Sequence, residues 1–395
     1  MKHERPIRVL EIIDSLGMGG AETWLMEVLR LWSKSEVCRI DFLSTRGKPG
    51  IFDEEARRLG AKIYYVRYGR TDLPRFAKEF RKVLREVRYD AIHDHQDYVS
   101  GWHFFFGANV LPPVRVTHVH NPAYQIRNNY GVTIGRRFTA RIGRALVARY
   151  STHIIGTSRQ VIAEYGFDAS CFRRIPKKAL YCGFDPTRFL GDEGAAKASV
   201  CREFGWPGDA KVILFAGRID QSPDVCHPQN HKNSGFAVSV GMECARRDPR
   251  VRMLLAGAPS PAVPILEGRI VAAGLNGRIQ FAGIRRDIER LMLASDALLF
   301  PSRGEGLGMV TVEAQAAGLP VLISNAVPRE CVVVPELVRF QKVEAGEAAW
   351  ATDLLQIAAQ PQNILDANQR VAASAFSIES SASALLRLYG ERTLS

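Results

Sequence analysis

Apolar residues recur in two rhythms through the sequence. Short runs rich in aliphatic and β-branched side chains alternate with longer stretches whose apolar positions return every three or four residues. The short runs predict strands at Arg8–Ile13, Arg39–Ser44, Lys62–Val66, Ala91–His95, Arg115–His120 and His153–Thr157. Between them, Ala21–Trp32 and Leu73–Val87 predict helices. In the second of these, Leu73, Phe76, Phe80, Val83, Leu84 and Val87 share one face, opposite Arg75, Lys78, Arg81, Lys82, Arg85 and Arg88. A second strand series starts at Val212–Gly217 and continues through Arg252–Ala256, Ile279–Gly283, Ala297–Ser302 and Val321–Ser324. Around residues 186–210 the rhythm lapses into a Gly/Ala/Asp-rich stretch ending in Trp206-Pro207-Gly208-Asp209, which reads as a linker. Strands alternating with helices predict parallel sheets covered by helices. Two such series predict an α/β chain of two Rossmann-like domains facing a central cleft, with ligands beyond the carboxyl ends of the strands.

Composition narrows the class. A chain of 395 residues is long enough for two or three domains. Its 46% hydrophobic and 24% charged residues exclude disordered and fibrous classes. The longest apolar runs, such as Ala297–Phe300, fall far short of the ~20 residues a spanning helix requires. No apolar leader follows Met1, so export is not expected. Seven cysteines lie singly, with no C-x-x-C pair; this excludes a disulfide scaffold or zinc ribbon and fits a reducing cytoplasm. The net charge of +12 is uneven. Residues 1–190 carry 32 Lys and Arg against 19 Asp and Glu, whereas the remainder is near neutral. From Tyr98 to Ala163 there are eight arginines and no carboxylate. A basic first half predicts an anionic partner there: phosphate, acidic membrane or nucleic acid.

The most informative stretch runs from Ala297 to Gly318. A buried strand ends at Pro301-Ser302, a loop with Gly304, Gly306 and Gly308 follows, and a helix-forming run begins near Met309. Glycines permit close backbone approach, and the free amides of a helix start suit a diphosphate. Glu305 and Glu313 flank that start; each is either a carboxylate for sugar hydroxyls or a solvated surface residue.

From this stretch onward the sequence resembles the retaining glycosyltransferases of family 4 (glycosyltransferase group 1), which have the GT-B fold. The E-x7-E segment EGLGMVTVEAQAAGLPVLIS carries the resemblance. Gly19-Gly20-Ala21-Glu22, His118-Val119-His120-Asn121, Gly156-Thr157-Ser158, Phe215-Ala216-Gly217-Arg218, His231-Lys232-Asn233 and Leu254–Gly257 agree with it in order. The resemblance implies an acceptor-side domain over 1–190 and a nucleotide-sugar domain over 205–372, with a final helix near 375–395 packed back on the first. It implies a hexosyltransferase that takes a sugar from a nucleotide-diphospho-sugar to an acceptor hydroxyl and keeps the anomeric configuration. Glu313 would hold the donor ribose and Glu305 the donor sugar. The loop from Gly306 and the amides of Leu307, Gly308 and Met309 would face the diphosphate, which Arg218 and Lys232 would neutralise as it leaves. Ile284, after its strand, would lie near the base, whether uracil or guanine. The chain departs from the family at residues 221–230, a proline-bearing insertion between Arg218 and Lys232 that either separates the lysine from the arginine or shapes the acceptor side of the cleft.

In the first half, His93 and His95 alternate on one strand and His118 and His120 on another, so each pair shares a face. By resemblance His120 approaches the donor sugar, with His118 as the alternative; a structural, backbone-bonded histidine is the other reading. No spaced cysteine or carboxylate set completes a metal site, and no D-x-D occurs, so neither metal nor cofactor is expected. Gly19 and Gly20 either admit the acceptor or diphosphate closely or form a tight turn. The amphipathic segments Leu73–Arg88 and Arg136–Arg149, the latter with Phe138, Ile142, Leu146 and Val147 inward, present arginine-rich faces. These are either simply solvated or dock on an anionic membrane carrying a lipid-linked acceptor, which would make the enzyme cytoplasmic and peripheral. No nucleic-acid module is present. Two other functions share the architecture: a nucleotide-sugar 2-epimerase or hydrolase, and a non-catalytic nucleotide-binding subunit.

Overall fold

The computed structural model describes residues 5–391 apart from Glu36, Val132 and Val225. The chain divides into two units. One runs to Phe184 and takes back the chain from Ile378; the other is Asp185–Ser377.

The first unit is built on seven strands: β1 (Ile7–Ile13), β2 (Cys38–Ser44), β3 (Ile63–Tyr65), β4 (Ala91–Asp94), β5 (Val114–Val119), β6 (His153–Gly156) and β7 (Lys177–Ala179). All pair in parallel, in the order β3-β2-β1-β4-β5-β6-β7. Central strands of parallel sheets are covered on both faces, and β1 is accordingly buried from Val9 to Ile13. The helix Leu73–Glu86 inserts Phe76, Phe80, Val83 and Leu84 into a core with Leu10, Ile12 and Ile92, leaving its basic face outward. The closing helix Ile378–Gly390 packs on this unit, where Trp24 Nε1 donates to Ser381 at 2.9 Å.

The second unit has six strands: β8 (Lys211–Ala216), β9 (Val251–Ala256), β10 (Ile279–Gly283), β11 (Ala297–Phe300), β12 (Val321–Ser324) and β13 (Val338–Gln341). These are also all parallel, in the order β10-β9-β8-β11-β12-β13. Each sheet winds outward from its first strand and then resumes on that strand's other side, so the order reverses between β1 and β4, and between β8 and β11. Such a reversal opens a crevice at the strands' carboxyl ends.

Two expectations need correction. The stretch 186–210 is structured, and it lies within the second unit: a short 3-10 turn precedes the helix Glu193–Phe204. Asp192 caps that helix by accepting from Ala195 N at 2.9 Å, and Gly205 ends it in the left-handed conformation. The Gly/Ala/Asp composition thus marks caps and a small-residue helix rather than a linker. In the helix Ile134–Tyr150, Val147 is buried, but Phe138 is 64% exposed. That helix packs through Gly143, which is so close to Tyr98 that a β-carbon there would lie 2.6 Å from its carbonyl oxygen. Phe138 lies more than a turn before this contact. No described helix is long and apolar enough to cross a membrane.

Candidate functional site

In the second unit, the β8 and β11 ends meet around one buried carboxylate, Asp220. Asp220, buried just after Arg218, accepts from Lys232 N at 3.1 Å, Ser234 N at 2.8 Å and Ser234 Oγ at 3.1 Å. This fastens both ends of the 221–230 insertion together, so its length does not carry Lys232 away from Arg218. The same segment is joined to the end of β11, because Arg303 N donates to His231 O at 2.8 Å and Asn233 Nδ2 to Pro301 O at 3.2 Å. Asn233 takes a left-handed conformation, with φ of 58°, to start the helix Ser234–Arg247. Within the insertion, Asn230 Nδ2 donates to Ser222 O at 2.7 Å and Asp224 O at 2.6 Å, closing the loop on itself.

Lys232 and Glu305, expected to serve different parts of a donor, are in contact here. Lys232 Nζ lies 2.7 Å from Glu305 Oε1, and Ser302 Oγ donates to the same oxygen at 2.7 Å. The ammonium also stands 5.3 Å from the centroid of Phe300, the last residue of β11. Arg218 is exposed and has no ion pair among the described residues. The backbone beneath is tight: a β-carbon on Gly257, after β9, would lie 1.9 Å from Gly217 O. No side chain fits there.

The glycine loop leads into the helix Met309–Ala316 through Gly308, whose φ is 86°. A β-carbon at Gly308 would come within 3.1 Å of Val327 and 3.2 Å of Phe300, and a positive φ disfavours one regardless. Gly306 and Leu307 are buried, and Met309 is half-buried. The first amides of this helix have no partner inside it. Glu313 lies in the second turn, half-buried, and burial pushes its carboxyl up to about 7 against the pull of Arg188. Ile284, beyond β10, is 61% exposed. Its neighbour Arg285 is committed elsewhere, to Glu203 at 2.7 Å and Asp287 at 2.9 Å.

In the first unit all four histidines converge. β1 pairs with β4 so that Glu11 stands opposite His93, and β4 pairs with β5. The rings of His93 and His118 are stacked at 5.1 Å, with His93 Nε2 and His118 Nδ1 3.0 Å apart. His95 Nδ1 lies 2.8 Å from His120 Nε2, and His95 Nε2 lies 2.8 Å from Glu11 Oε2. Tyr389, from the closing helix, donates to Glu11 Oε1 at 2.8 Å and lies 2.5 Å from His93 Nδ1. Burial pushes the Glu11 carboxyl up, but His93 and His95 outweigh it and hold it at about 2. Burial and the neighbouring imidazoles hold His118 and His120 well below the usual histidine range. His93, His95 and His118 bring one ring nitrogen each within 4.8 Å of one another, a cluster with the donor type for a metal ion. The hydrogen bonds just described already engage nitrogens on all three rings.

Beside this cluster, Asp97 has a φ of 53° and accepts from His120 N at 3.3 Å, and burial pushes its carboxyl up to about 7. Gly19 caps the helix Gly20–Trp32 with ordinary negative φ, and neither Gly19 nor Gly20 is in a left-handed conformation. A β-carbon at Gly19 would meet the Glu22 carboxylate at 2.1 Å, whereas nothing lies within 4 Å of one at Gly20. Gly20 therefore borders open space, whereas Gly19 makes room for the Glu22 carboxylate.

Glu11, Asp220 and Tyr389 were not singled out from sequence. Glu11 had a signal, a lone carboxylate inside the apolar run VLEII, since a charge buried there requires partners. Asp220 and Tyr389 gave none, because their partners are set by loop closure and by the return of the chain's last helix.

Known proteins agree with this architecture. The profile of the family described as Glycosyl transferases group 1 matches residues 210–360, and that of Glycosyltransferase Family 4 matches 18–188. The putative glycosyltransferase EpsF of Bacillus subtilis (strain 168) is 28% identical over 354 residues, spanning 89% of this chain and 88% of its own. The D-inositol 3-phosphate glycosyltransferase of Mycobacterium bovis (strain BCG / Pasteur 1173P2) is 32% identical over 246 residues, 59% of this chain and 46% of its own. Among solved structures, Anabaena Alr3699/HepE in complex with UDP and glucose superposes with a TM-score of 0.72 at 18% identity, covering 96% of this chain and 98% of its own. WaaG, a glycosyltransferase involved in lipopolysaccharide biosynthesis, superposes with a TM-score of 0.70 at 15% identity, covering 97% and 100%. With both halves matched in order and two parallel α/β units of the GT-B type, the chain belongs to the group 1 glycosyltransferases of family 4.

Proposed function

We propose that the protein transfers a hexose from a nucleotide-diphospho-sugar to an acceptor hydroxyl with retention of configuration, in the synthesis of a cell-surface polysaccharide or glycolipid. The observation that carries this is the Lys232–Glu305 pair, tied through Asp220 to the chain just after the exposed Arg218, at the reversal between β8 and β11 and beside the start of the helix Met309–Ala316. Two phosphates leaving a sugar gain negative charge, and fixed cations and amides that wait for that charge lower the barrier. Arg218 and Lys232 supply the cations, and Leu307 to Met309 the amides. Glu313 takes the ribose hydroxyls, Ile284 flanks the base and Glu305 accepts from the donor sugar. On donor binding, Lys232 divides its three protons between Glu305 and phosphate. The HepE structures that hold UDP and UDP-glucose support a nucleotide-sugar donor.

In the first unit, His120 contacts the reacting sugar, and the open space at Gly20 admits the acceptor or phosphate. A front-side displacement fits a site with no placed nucleophile: the C–O bond to the departing phosphate breaks, the acceptor oxygen bonds to the same face, and the phosphate oxygen takes the acceptor's proton. The arginine-rich helices Leu73–Glu86 and Ile134–Tyr150 hold this unit against an anionic membrane, where a lipid-linked acceptor resides.

A thermal-shift panel of UDP- and GDP-sugars, followed by turnover with the preferred donor in the presence of a chelator, tests the reading. The expected result is stabilisation by one nucleotide class and acceptor-dependent, chelator-resistant transfer with the donor's anomeric configuration kept. Acceptor-independent release of free sugar would indicate an epimerase or hydrolase. Binding without turnover would indicate a non-catalytic subunit.

A further inference from the structure

The cluster around Glu11 has a proton inventory that closes from its geometry. Glu11 is fully buried mid-strand, and each of its oxygens accepts a hydrogen bond: Oε1 from the Tyr389 hydroxyl and Oε2 from His95 Nε2, both at 2.8 Å. His93 and His95 hold the carboxyl at about 2, so Glu11 is ionised, and an ionised carboxylate can only accept at both contacts. The remaining positions follow one by one. Tyr389 has given its only proton to Glu11, so its oxygen accepts from His93 Nδ1 at 2.5 Å. His93 Nε2 is then bare and accepts from His118 Nδ1 at 3.0 Å. That leaves His118 Nε2 as a bare nitrogen, and it is one of two buried ring nitrogens without a partner among the described residues, the other being His103 Nε2 outside this cluster. On the other branch, His95 has spent its proton on Glu11, so its Nδ1 accepts from His120 Nε2 at 2.8 Å. A neutral His120 therefore keeps its lone pair on Nδ1.

We propose that Glu11 and His95 are positioning residues that fix His120 in the Nε2–H tautomer, so that it meets a hydroxyl of the reacting sugar as a hydrogen-bond acceptor through Nδ1. The inference rests on the reading of His120 given above and deepens it. The opposite tautomer would either set two bare nitrogens face to face between His95 and His120, or turn a bare His95 Nε2 toward the Glu11 carboxylate, leaving Oε2 only the more distant His93 Nδ1 at 3.3 Å. Either fault is costly beside a carboxylate that is itself fully buried. Trp24 helps to keep it dry, standing edge-on to His95 at 6.3 Å and to His118 at 5.8 Å. As an acceptor His120 orients a sugar hydroxyl and places no positive charge near the sugar, leaving charge stabilisation to the cations of the second unit.

Two-bond nitrogen correlation spectra of the full chain labelled with 15N-histidine read the tautomers directly. In the wild type, His120 is expected to show a pyridine-like Nδ1 and a pyrrole-like Nε2. Glu11→Gln, which presents a donor where the relay needs an acceptor, is expected to mix or reverse that tautomer. It is also expected to lower kcat about 10- to 100-fold, no more than the low end of what a positioned proton-handling group contributes, with little change in donor KM. Glu11→Asp, which keeps the charge, is expected to recover part of the loss. Tyr389→Phe weakens the same carboxylate from its other oxygen and is expected to leave the His120 tautomer as in the wild type. A wild-type His120 protonated on Nδ1 overturns the proposal, whether or not any variant folds. So does a folded Glu11→Gln protein with an unchanged tautomer, or equal kcat losses in Glu11→Gln and Tyr389→Phe. Turnover that survives His120→Ala would instead remove the role given to His120 while leaving the tautomer assignment to the spectra.

Discussion

The two sheets reverse strand order in the same way, yet they equip the reversal in opposite styles. Beside β1 and β4 the first unit buries its polar groups: one carboxylate and four imidazoles are bonded to each other and shielded by Trp24 and Tyr389. Beside β8 and β11 the second unit keeps charges within reach of ligand: Arg218 is exposed, and the Lys232–Glu305 pair is only partly covered. A buried network holds one arrangement and exchanges slowly with its surroundings, whereas a half-exposed ion pair can be re-partnered when a diphosphate arrives. The common fold supplies the crevice. The choice between a fixed, buried network and available cations decides what each crevice does with charge.

The contrast breaks most sharply if the cations are removed. Arg218→Ala and Lys232→Ala are each expected to lower kcat about 100- to 1000-fold, the scale for losing one group that stabilises developing charge. Steady-state turnover with the preferred donor measures this. Losses of only a few-fold would mean that the charges are surface features. Next in size, Asp220→Ala removes three hydrogen bonds to a buried carboxylate and is expected to cost about 3 kcal/mol of stability, read from urea midpoints. It should also raise donor KM, because Lys232 is no longer fastened beside Arg218. Unchanged KM in the folded variant would show that the insertion does not govern the lysine's place.

Much of this architecture was legible because parallel sheets write themselves as alternating buried runs and amphipathic helices, and Phe76, Phe80, Val83 and Leu84 fall where that rhythm puts them. The glycine loop was legible too, since Gly308 occupies a backbone conformation that few other residues tolerate. What stayed hidden depends on pairing across distance. Nothing local to Glu11 tells that Tyr389, from the far end of the chain, completes its hydrogen bonds. Nothing near Lys232 shows that Asp220 shortens a long insertion to a single clasp. Phe138 misled for a related reason: helical spacing identifies an apolar face, but where the neighbouring helix stops decides whether that face is covered.

Glu313 sharpens the comparison, since it is a carboxylate that burial disfavours and no imidazole rescues. Its carboxyl sits at about 7, raised from its ordinary 4.5 chiefly by desolvation. The folded protein therefore binds that proton more tightly than the unfolded chain does. The associated stability is fully present below about 4.5 and is lost as pH climbs through about 7. Glu313→Gln lacks this titration, so its stability relative to the wild type should rise over that window and level off above it. Donor affinity should move the other way, strengthening in the wild type as the ribose-binding carboxylate ionises. At pH 8 the glutamine variant is expected to bind donor about tenfold more weakly, from the loss of hydrogen bonds to a charged group. Calorimetric Kd values at pH 6 and 8 check both signs, and a parallel pH dependence in the two proteins would count against the ribose assignment.

The smallest effect concerns the outer face of the first unit. Ile134 is 88% exposed and Phe138 64%, one helical turn apart and flanked by exposed Arg136, Arg137 and Arg141. An apolar pair set among arginines suits the boundary between headgroups and acyl chains, where apolar burial and charge attraction add. Phe138→Ser is expected to weaken binding to anionic vesicles about fivefold, part of the transfer free energy of one large side chain, while leaving turnover on a soluble acceptor intact. Co-sedimentation at low and high salt separates the two contributions. Salt should release the arginines' share, and the serine variant should lose the share that salt does not touch. If wild type and variant sediment alike in both salts, the helix is a solvated face, and the basic character of the first unit must answer to the acceptor or the phosphate instead.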